Sequence, residues 1–170
     1  MEILTFGSEM LRQKAAPVEN LKDDWSEIVR KMTLAMEKEK GVGLAGPQVG
    51  LMQRIFLVNV EDGAPLVFIN PSIIETSQET SKYEEGCLSV PGVWADVIRP
   101  ASVKVQAWNE QGRPFTLEAS GFVARIILHE YDHLEGILFI DRLPELKRKK
   151  LLDKIEKRAL AAQKAGNSGN

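Results

Sequence analysis

The sequence predicts an α+β fold, in which antiparallel β-sheets pack around a buried central helix and a further helix follows at the C-terminus. Three observations lead to this prediction. The strand-like segments form one block between residues 54 and 119, whereas helical patterns precede and follow that block. Two of these segments are joined by a turn short enough for a hairpin, which makes them antiparallel. One helix is apolar on almost every side, which is typical of a helix buried within a fold.

The first half of the chain contains one helix and most of the strands. A helix is predicted over residues 22–40, because apolar residues recur there at the spacing of one helical face. A glycine-rich stretch follows it. Pro71 is expected to end the second strand, and the sequence NEQG at 109–112 predicts the hairpin turn. The predicted strands cover residues 54–60, 66–70, 102–108 and 114–119.

The second half is mainly helical. The apolar central helix is predicted over residues 121–134, and residues 137–140 are predicted as a short strand. Pro144 precedes a final helix that is expected to end near residue 165, before the polar sequence AGNSGN, which is expected to be frayed. One face of this last helix carries an apolar stripe, formed by Leu151, Leu152, Ile155, Ala159 and Ala162.

Composition and charge limit the class of protein. A chain of 170 residues with 44% hydrophobic and 27% charged residues is typical of one globular domain. No apolar run approaches the length of a membrane span, and the start of the chain lacks a signal-peptide pattern, so a cytoplasmic protein is expected. The net charge is −2, but residues 147–164 carry eight basic and two acidic residues, a local charge of +6 that leaves −8 on the remainder.

The pattern HEYDH at residues 129–133 lies within the predicted central helix. Residues four apart lie on one helical face, so His129 and His133 can bind the same ion. Glu130 projects beside that ion, where a carboxylate can take a proton from the water that the ion binds. These are the only two histidines of the chain, and burying them without a partner would be costly. The pattern therefore predicts a metal site.

Cys87 is the candidate for the third protein ligand. The chain has no third histidine: Phe139 stands where one H-E-x-x-H pattern requires it, and Glu145 and Glu156, candidates for another, lie in or next to the lysine-rich segment. Cys87 belongs to EGCLS at 85–89, which is predicted as a loop. A lone cysteine is more often a small buried hydrophobe, but a site that lacks one ligand favours coordination by the thiolate.

The sequence GVGLAGPQ at residues 41–48 lacks the Lys-Ser/Thr ending of a P-loop, and it follows a helix, unlike a dinucleotide fingerprint. Two interpretations remain open. The segment is either a tight turn between helix and sheet, or a loop whose glycines let a substrate approach the backbone while Gln48 supplies an amide donor.

Taken together, GVGLAGPQ, EGCLS and HEYDH resemble the three motifs of peptide deformylase, in the order that this family has them. The similarity extends over nearly the whole chain. Gly46 departs from the family pattern, which usually has alanine there, and this change is expected to loosen the loop that holds Gln48. Arg125, one turn before His129, stands where an apolar residue would better suit a pocket wall, which puts the preference for substrate side chains in question.

The resemblance implies hydrolytic removal of the N-formyl group from the formylmethionine of newly synthesised polypeptides, with release of formate. Glu130 would activate a water bound by the metal, and the metal, the backbone N–H of Leu88 and the amide of Gln48 would hold the oxyanion. The implied residues are Cys87, His129 and His133 for the metal, Glu130, Gln48 and Leu88 for catalysis, and Gly43, Leu44 and Gly86 for substrate binding.

The resemblance also implies one divalent metal ion, with Fe²⁺ as the native ion and Zn²⁺, Ni²⁺ or Co²⁺ as alternatives. The expected partners are N-formylmethionyl nascent peptides and, through the basic C-terminal helix, the ribosome; neither DNA nor a membrane is expected. Residues 1–146 are expected to form the catalytic domain, and residues 147–170 a basic helix and frayed tail that belong to the same domain or form an appendage.

Three alternatives to this function are compatible with parts of the sequence. A zinc metalloprotease shares the H-E-x-x-H pattern but needs a further ligand, for which the chain offers only Cys87. A ribosome-binding module without activity is suggested by the basic C-terminal segment, although the body is acidic and no aromatic stacking platform is evident. An inactive homologue is disfavoured because Glu130 is retained.

Overall fold

The structure, a computed structural model, describes residues 1–61 and 63–168. Within these residues the chain forms three α-helices, seven β-strands and three short 3-10 helices. The helices are α1 (Ser26–Lys38), α2 (Gly121–Leu134) and α3 (Glu145–Asn167). The strands are β1 (Gly43–Ala45), β2 (Ile55–Val58), β3 (Leu66–Thr76), β4 (Thr80–Cys87), β5 (Val90–Pro100), β6 (Ser102–Trp108) and β7 (Pro114–Ser120). The 3-10 helices cover Glu9–Arg12, Gly46–Val49 and Phe139–Arg142.

The strands form two antiparallel sheets. The larger sheet has the order β1-β2-β3-β6-β7, and β4 pairs with β5 in a separate two-stranded sheet. Helix α2 packs on the larger sheet, where Ala124 and Ile127 contribute to a buried apolar cluster with Phe56, Phe68 and Val105. The predicted α+β class, with antiparallel sheets around a buried central helix and a C-terminal helix, is confirmed.

The two-stranded sheet packs on a different apolar cluster. Val90, Val93 and Val97 of β5 lie there with Phe139 and with Ile155 of α3. Burial of these side chains holds the middle of α3 against the body of the protein. The region between the two clusters is the place where β4 approaches α2.

Several predicted elements agree with the structure. Helix α2 has the predicted bounds, and β6 and β7 form the predicted hairpin, in which the side chain of Asn109 accepts hydrogen bonds from the N–H groups of Gln111 and Arg113. Helix α1 begins at Ser26, later than the predicted residue 22, because residues 20–23 form a turn and Asp24 then accepts the N–H of Ser26.

The prediction that Pro71 ends a strand is wrong, since β3 continues to Thr76. Asn70 has a φ of +48°, and the pairing with β6 shifts register between Ile69 and Ser72. The side chain of Asn70 accepts the N–H of Val18 and donates to its carbonyl, which stabilises this backbone conformation. Proline is tolerated at such a bulge because the ladder of hydrogen bonds is interrupted there.

The predicted short strand at residues 137–140 is also wrong. Gly136 has a φ of +73°, and the N–H of Ile137 bonds back to the carbonyl of Asp132, so the chain turns at the end of α2. The 3-10 helix Phe139–Arg142 follows, and the carboxylate of Asp141 accepts the N–H of Leu138 at its start.

Strands β1, β4 and β5 were not predicted. Residues 85–89, expected as a loop, are instead the end of β4 and a tight turn into β5. Along β5 the residues alternate between buried Val93, Val97 and Arg99 and exposed Trp94 and Ile98. The buried arginine occupies an inward position where alternation predicts an apolar residue, which obscures the strand pattern.

Helix α3 ends at Asn167, two residues beyond the predicted end, and Gly169 and Asn170 of the expected frayed tail lie outside the described residues. Its apolar stripe divides in two: Ile155 is buried and Leu151 is half-buried, whereas Ala159 and Ala162 are exposed. Across the described residues, no helix has the length and apolar character that crossing a membrane requires.

Candidate metal centre

Cys87, His129 and His133 come together where β4 meets α2. Cys87 is the last residue of β4, and the two histidines lie one turn apart on α2. One possible ligand atom from each residue lies within 4.8 Å of the other two, and Cys87 Sγ is 3.4 Å from His133 Nε2. The three residues expected to hold a metal are therefore adjacent.

The imidazole of His129 is oriented by Glu85. Its Nδ1 lies 2.8 Å from Glu85 Oε1, which leaves Nε2 as the atom available to an ion. Arg99 donates to both oxygens of Glu85, at 3.0 and 2.7 Å, and a further nitrogen of Arg99 donates to Asp132. Sequence reasoning gave Glu85 and Arg99 no role. Glu85 belongs to the EGCLS motif, which was a signal, whereas nothing in the sequence marked Arg99.

Glu130 is buried against the edge of the larger sheet. A Cβ atom on Gly43 of β1 would lie 2.6 Å from Glu130 Oε1 and 2.8 Å from Ile126 Cγ2, so glycine is required where α2 packs on this strand. Glu130 Oε2 is buried and has no hydrogen-bond partner among residues 1–61 and 63–168. Gly43, expected to bind substrate, thus also makes room for the carboxylate.

The electrostatics of the cluster favour a positive charge between Cys87 and Glu85. Burial opposes ionisation of His129, but its contacts with Cys87 and Glu85 outweigh burial and raise its pKa to about 10. Burial likewise opposes ionisation of Glu85, yet His129 and Arg99 hold its pKa well below the usual range. Burial lowers the pKa of His133 and raises the pKa of Glu130 to about 7. A neutral His133 is in the form that binds metals.

The donor set fits a divalent ion. Two imidazoles and one thiol converge, as in catalytic sites with three protein ligands and one open position. The orphaned oxygen of Glu130 indicates that a further polar group completes the site. The residues present therefore suit a bound metal with a water beside Glu130.

Gln48 lies in the 3-10 helix after β1, and both the oxygen and the nitrogen of its side-chain amide are hydrogen-bonded. Its Oε1 accepts the N–H of Ala45 at 2.9 Å, and its Nε2 donates to Ser89 Oγ at 3.1 Å and lies 3.6 Å from Cys87 Sγ. These contacts set the orientation of the amide, with the donor towards Cys87. Ser89 is a second residue of EGCLS whose contribution sequence reasoning missed.

A cleft of about 590 Å³ leads to the cluster. Gly43, Gly86 and Leu88 line it, as do Gln48 and Glu130, whereas the side chain of Leu44 is fully buried in the core. The indole of Trp94 covers Gly86 so closely that a Cβ there would lie 2.5 Å from Trp94 Nε1. Of the three expected substrate-binding residues, Gly43 and Gly86 thus line the cleft, and Leu44 does not.

Comparison with known proteins agrees with this arrangement. The sequence model of the family described as polypeptide deformylase matches residues 1–149. The peptide deformylase of Borreliella burgdorferi is 50% identical over 153 residues, which cover 89% of this chain and 93% of that protein. The chain belongs to the peptide deformylase family. Members of this family are metal-dependent hydrolases that remove the formyl group from nascent peptides, and this chain has that function.

Solved structures of peptide deformylases have the same fold. The enzyme of Synechococcus elongatus, in complex with actinonin, is 42% identical with a TM-score of 0.85, and the match covers 91% of this chain and 85% of that one. The enzyme of Ehrlichia chaffeensis is 34% identical with a TM-score of 0.88, with coverage of 96% and 98%. Family membership favours deformylase activity over the metalloprotease and the inactive ribosome-binding module.

The departure from the family pattern at Gly46 and the unusual arginine at position 125 both have structural explanations. A Cβ on Gly46 would lie 2.6 Å from the carbonyl oxygen of Leu51 and 2.9 Å from that of Gln53, so the glycine fits a close backbone approach. The amide of Gln48 makes its contacts with Ala45 and Ser89 in this structure, and the loosening of the loop stays a prediction. The guanidinium of Arg125 is buried and bonded to the two-stranded sheet, so Arg125 can present only its aliphatic stem to the cleft.

Proposed function

We propose that the deformylase reaction takes place at the cluster of Cys87, His129 and His133, with Glu130 as the general base. One observation carries this proposal: Glu130 Oε2 is buried without a hydrogen-bond partner among the described residues, next to three convergent ligand atoms. A buried carboxylate oxygen is costly to leave unpaired. The attacking water would be the partner of this oxygen.

When bound by these three residues, a divalent ion would polarise the formyl carbonyl and lower the pKa of water. Glu130 takes a proton from the attacking water while the water oxygen bonds to the formyl carbon. The carbon–nitrogen bond then breaks, and Glu130 passes the same proton to the departing amine. Formate and a peptide with a free N-terminal amine are the products. Burial raises the pKa of Glu130 to about 7, which suits a group that both accepts and returns a proton near neutral pH.

Gln48 and Leu88 are proposed to stabilise the negative charge that develops on the formyl oxygen. The amide of Gln48 is already oriented by Ala45 and Ser89, so no reorganisation is needed during the reaction. The backbone N–H of Leu88 directly follows Cys87 in the chain. Two donors beside the reacting carbon would lower the barrier more than either alone.

The substrate peptide is proposed to lie along β1 and the end of β4. Strand β1 is the edge of the larger sheet, and an edge strand offers backbone groups to an extended peptide. Gly43 and Gly86 line the cleft without side chains, and Leu44 would contribute its backbone only. This arrangement supports the substrate-binding roles of Gly43 and Gly86, and the role of Leu44 stays a prediction.

The donor atoms of the three ligands also bear on which metal is native. The thiolate and two imidazoles suit several divalent ions, and we infer Fe²⁺ as the native one, with Zn²⁺, Ni²⁺ or Co²⁺ as substitutes. Metal analysis of protein purified without oxygen tests this proposal. Zinc at full occupancy in anaerobic, active protein would contradict it.

We further propose that the protein works in the cytoplasm and contacts the ribosome through α3, with residues 1–146 as the catalytic domain and 147–170 as its C-terminal extension. The basic side chains of α3 are exposed, including Lys150, Lys154 and Lys157, which share one face with an i, i+4, i+7 spacing. Such a face suits the phosphates of ribosomal RNA. The other face packs on the body through Ile155.

The proposed chemistry is tested by formate release from a short formyl-methionyl peptide. The purified full chain should release formate stoichiometrically and leave the peptide bonds intact. The unformylated twin peptide should remain unchanged. Cleavage of a peptide bond in either peptide would contradict the proposal and favour a protease.

A further inference from the structure

The proposed ligands come from elements that belong to two different apolar clusters. Helix α2, which carries His129 and His133, packs on the larger sheet. Strand β4, which carries Cys87, is paired with β5, and Val93 and Val97 of β5 pack with Phe139. The distance between the thiol and the imidazoles therefore depends on how the two-stranded sheet is docked against α2.

The side chain of Arg125 extends from α2 to the two-stranded sheet. Its side chain is 4% exposed and makes four hydrogen bonds to the two-stranded sheet. Nη1 donates to Glu85 Oε2 at 2.7 Å and to the carbonyl of Val97 at 2.9 Å. Nη2 donates to the carbonyl of Ser81 at 2.9 Å and to its hydroxyl at 3.0 Å. One side chain of the helix thus holds both strands of the sheet.

Glu85 connects Arg125 to the ligand cluster. Oε2 of the Glu85 carboxylate accepts a hydrogen bond from Arg125, and Oε1 of the same carboxylate lies 2.8 Å from Nδ1 of His129. Arg99 donates to the same carboxylate and to Asp132, which also accepts hydrogen bonds from Arg142. Removing the guanidinium of Arg125 would take one charged donor from Glu85 and leave two backbone carbonyls without that donor in a buried environment, and the remaining groups would be expected to rearrange.

We propose that Arg125 is a positioning residue for the metal centre: it fixes the two-stranded sheet to α2 and holds Glu85, and thereby sets the geometry between Cys87 and the two histidines. Both terminal nitrogens of its guanidinium donate to the sheet, so its proposed role is to position the ligands and not to react with the substrate. This inference rests on the proposed assignment of Cys87, His129 and His133 as ligands.

Arg54 provides a matched control for an arginine that only supports the fold. It is 8% exposed, donates to the carbonyls of Ala15 and Leu134, pairs with Glu135, and lies over the ring of Tyr131 at 5.5 Å. Arg125 likewise lies over a ring, that of Tyr83, at 5.6 Å. The two arginines thus have similar surroundings, but only Arg125 contacts Glu85.

The test is a titration of the metal-free full-length protein with Co²⁺, in competition with a chelator. The dissociation constant, the thiolate-to-cobalt charge-transfer band and the visible d–d bands are measured for the wild type, Arg125→Met, Arg125→Lys and Arg54→Met. Arg125→Met should bind Co²⁺ about 10-fold or more weakly, with shifted d–d bands, since partners that orient ligands typically contribute this much. Arg125→Lys, which keeps the charge, should recover part of the affinity, and Arg54→Met should match the wild type.

Four results would overturn the inference. Arg125→Met could match the wild type in affinity and bands, or Arg54→Met could change both to the same extent. Should Arg125→Met fail to fold, Arg125→Lys decides, and a wild-type spectrum and affinity in that variant would contradict positioning by the guanidinium. A missing thiolate band in the wild type itself would show that the ligand assignment is wrong, and the inference would fall with it.

Discussion

The carboxylate of Glu130 occupies the space that a side chain at Gly43 would fill. The nearest approach, between Oε1 and a Cβ built on Gly43, would be 2.6 Å. The glycine of the first motif and the glutamate of the third are therefore matched to each other. This contact explains why the first motif needs glycine here, independently of any contact with substrate.

Gly43→Ala is expected to displace Glu130 while leaving the metal ligands in place. Because a displacement of about 1 Å can lower the rate by about 10²-fold, kcat should fall to about that extent with metal content unchanged. Formate release and metal analysis check this. Gly63→Ala is the control, since a Cβ there meets nothing within 4 Å, and an equal loss in both variants would contradict the explanation.

Cys87→Ala should lower metal content and activity together. The thiolate supplies one of three protein ligands in the proposed centre, and two imidazoles alone bind divalent ions far less tightly. Iron-loaded wild type should also lose activity in air faster than nickel-loaded wild type, because a thiolate on a redox-active ion is open to oxidation. Full metal occupancy in Cys87→Ala would move the third ligand elsewhere.

The central helix and the proximity of Cys87, His129 and His133 were predictable from the sequence, but the contacts that support them were not. Helix α2 is apolar on nearly all sides and contains both histidines. This local pattern was therefore sufficient to predict the helix and the position of both imidazoles on it. Strands β4 and β5 were missed because Glu85 and Arg99 face inward and pair with each other across the sheet. Such a pairing depends on contacts distant in sequence, which a local pattern does not reveal.

The C-terminal helix shows a second limit of local patterns. Its apolar stripe is continuous in sequence, yet Ile155 packs on the body whereas Ala159 and Ala162 are exposed. A cut after Glu145, which would be harmless if α3 were an appendage, is therefore expected to destabilise the protein. Periodicity identifies an apolar face but does not tell which part of it finds a partner.

The ribosome proposal is tested by changing Lys150, Lys154 and Lys157 to glutamine. The triple variant should bind ribosomes more weakly and with a shallower salt dependence, since up to three phosphate contacts are removed. Turnover of a short formyl peptide should not change. The control variant changes Lys22, Lys31 and Lys38, which are exposed on the acidic body. Equal affinity of both variants would contradict docking through α3.

The ion pair between Arg54 and Glu135 should make stability depend on pH. Burial opposes ionisation of Glu135, but Arg54 and Lys14 lower its pKa below the ordinary 4.5. A lowered pKa means that the folded state binds its proton less readily than the unfolded state. The stabilisation is therefore complete above about pH 4.5, the pKa in the unfolded state, and it is lost as the pH falls through the lower pKa that Glu135 has in the folded state.

Urea unfolding of the wild type and Glu135→Gln measures this contribution. The wild type should exceed the variant by about 1 kcal/mol at pH 7, the order of a charge-assisted hydrogen bond at a partly exposed site. The difference should shrink as the pH is lowered below 4. A difference that stays constant between pH 7 and pH 3 would show that the pair does not contribute through its charge.

The role of Glu130 is tested most directly by measuring metal content and formate release together in Glu130→Gln. The amide keeps the size of the side chain but cannot accept the proton of the attacking water. The variant should hold as much metal as the wild type and release formate about 10²–10⁴-fold more slowly, the range that general acid–base catalysis contributes. Metal lost in proportion to activity would show that Glu130 is a ligand, and full activity with full metal content would show that the base lies elsewhere.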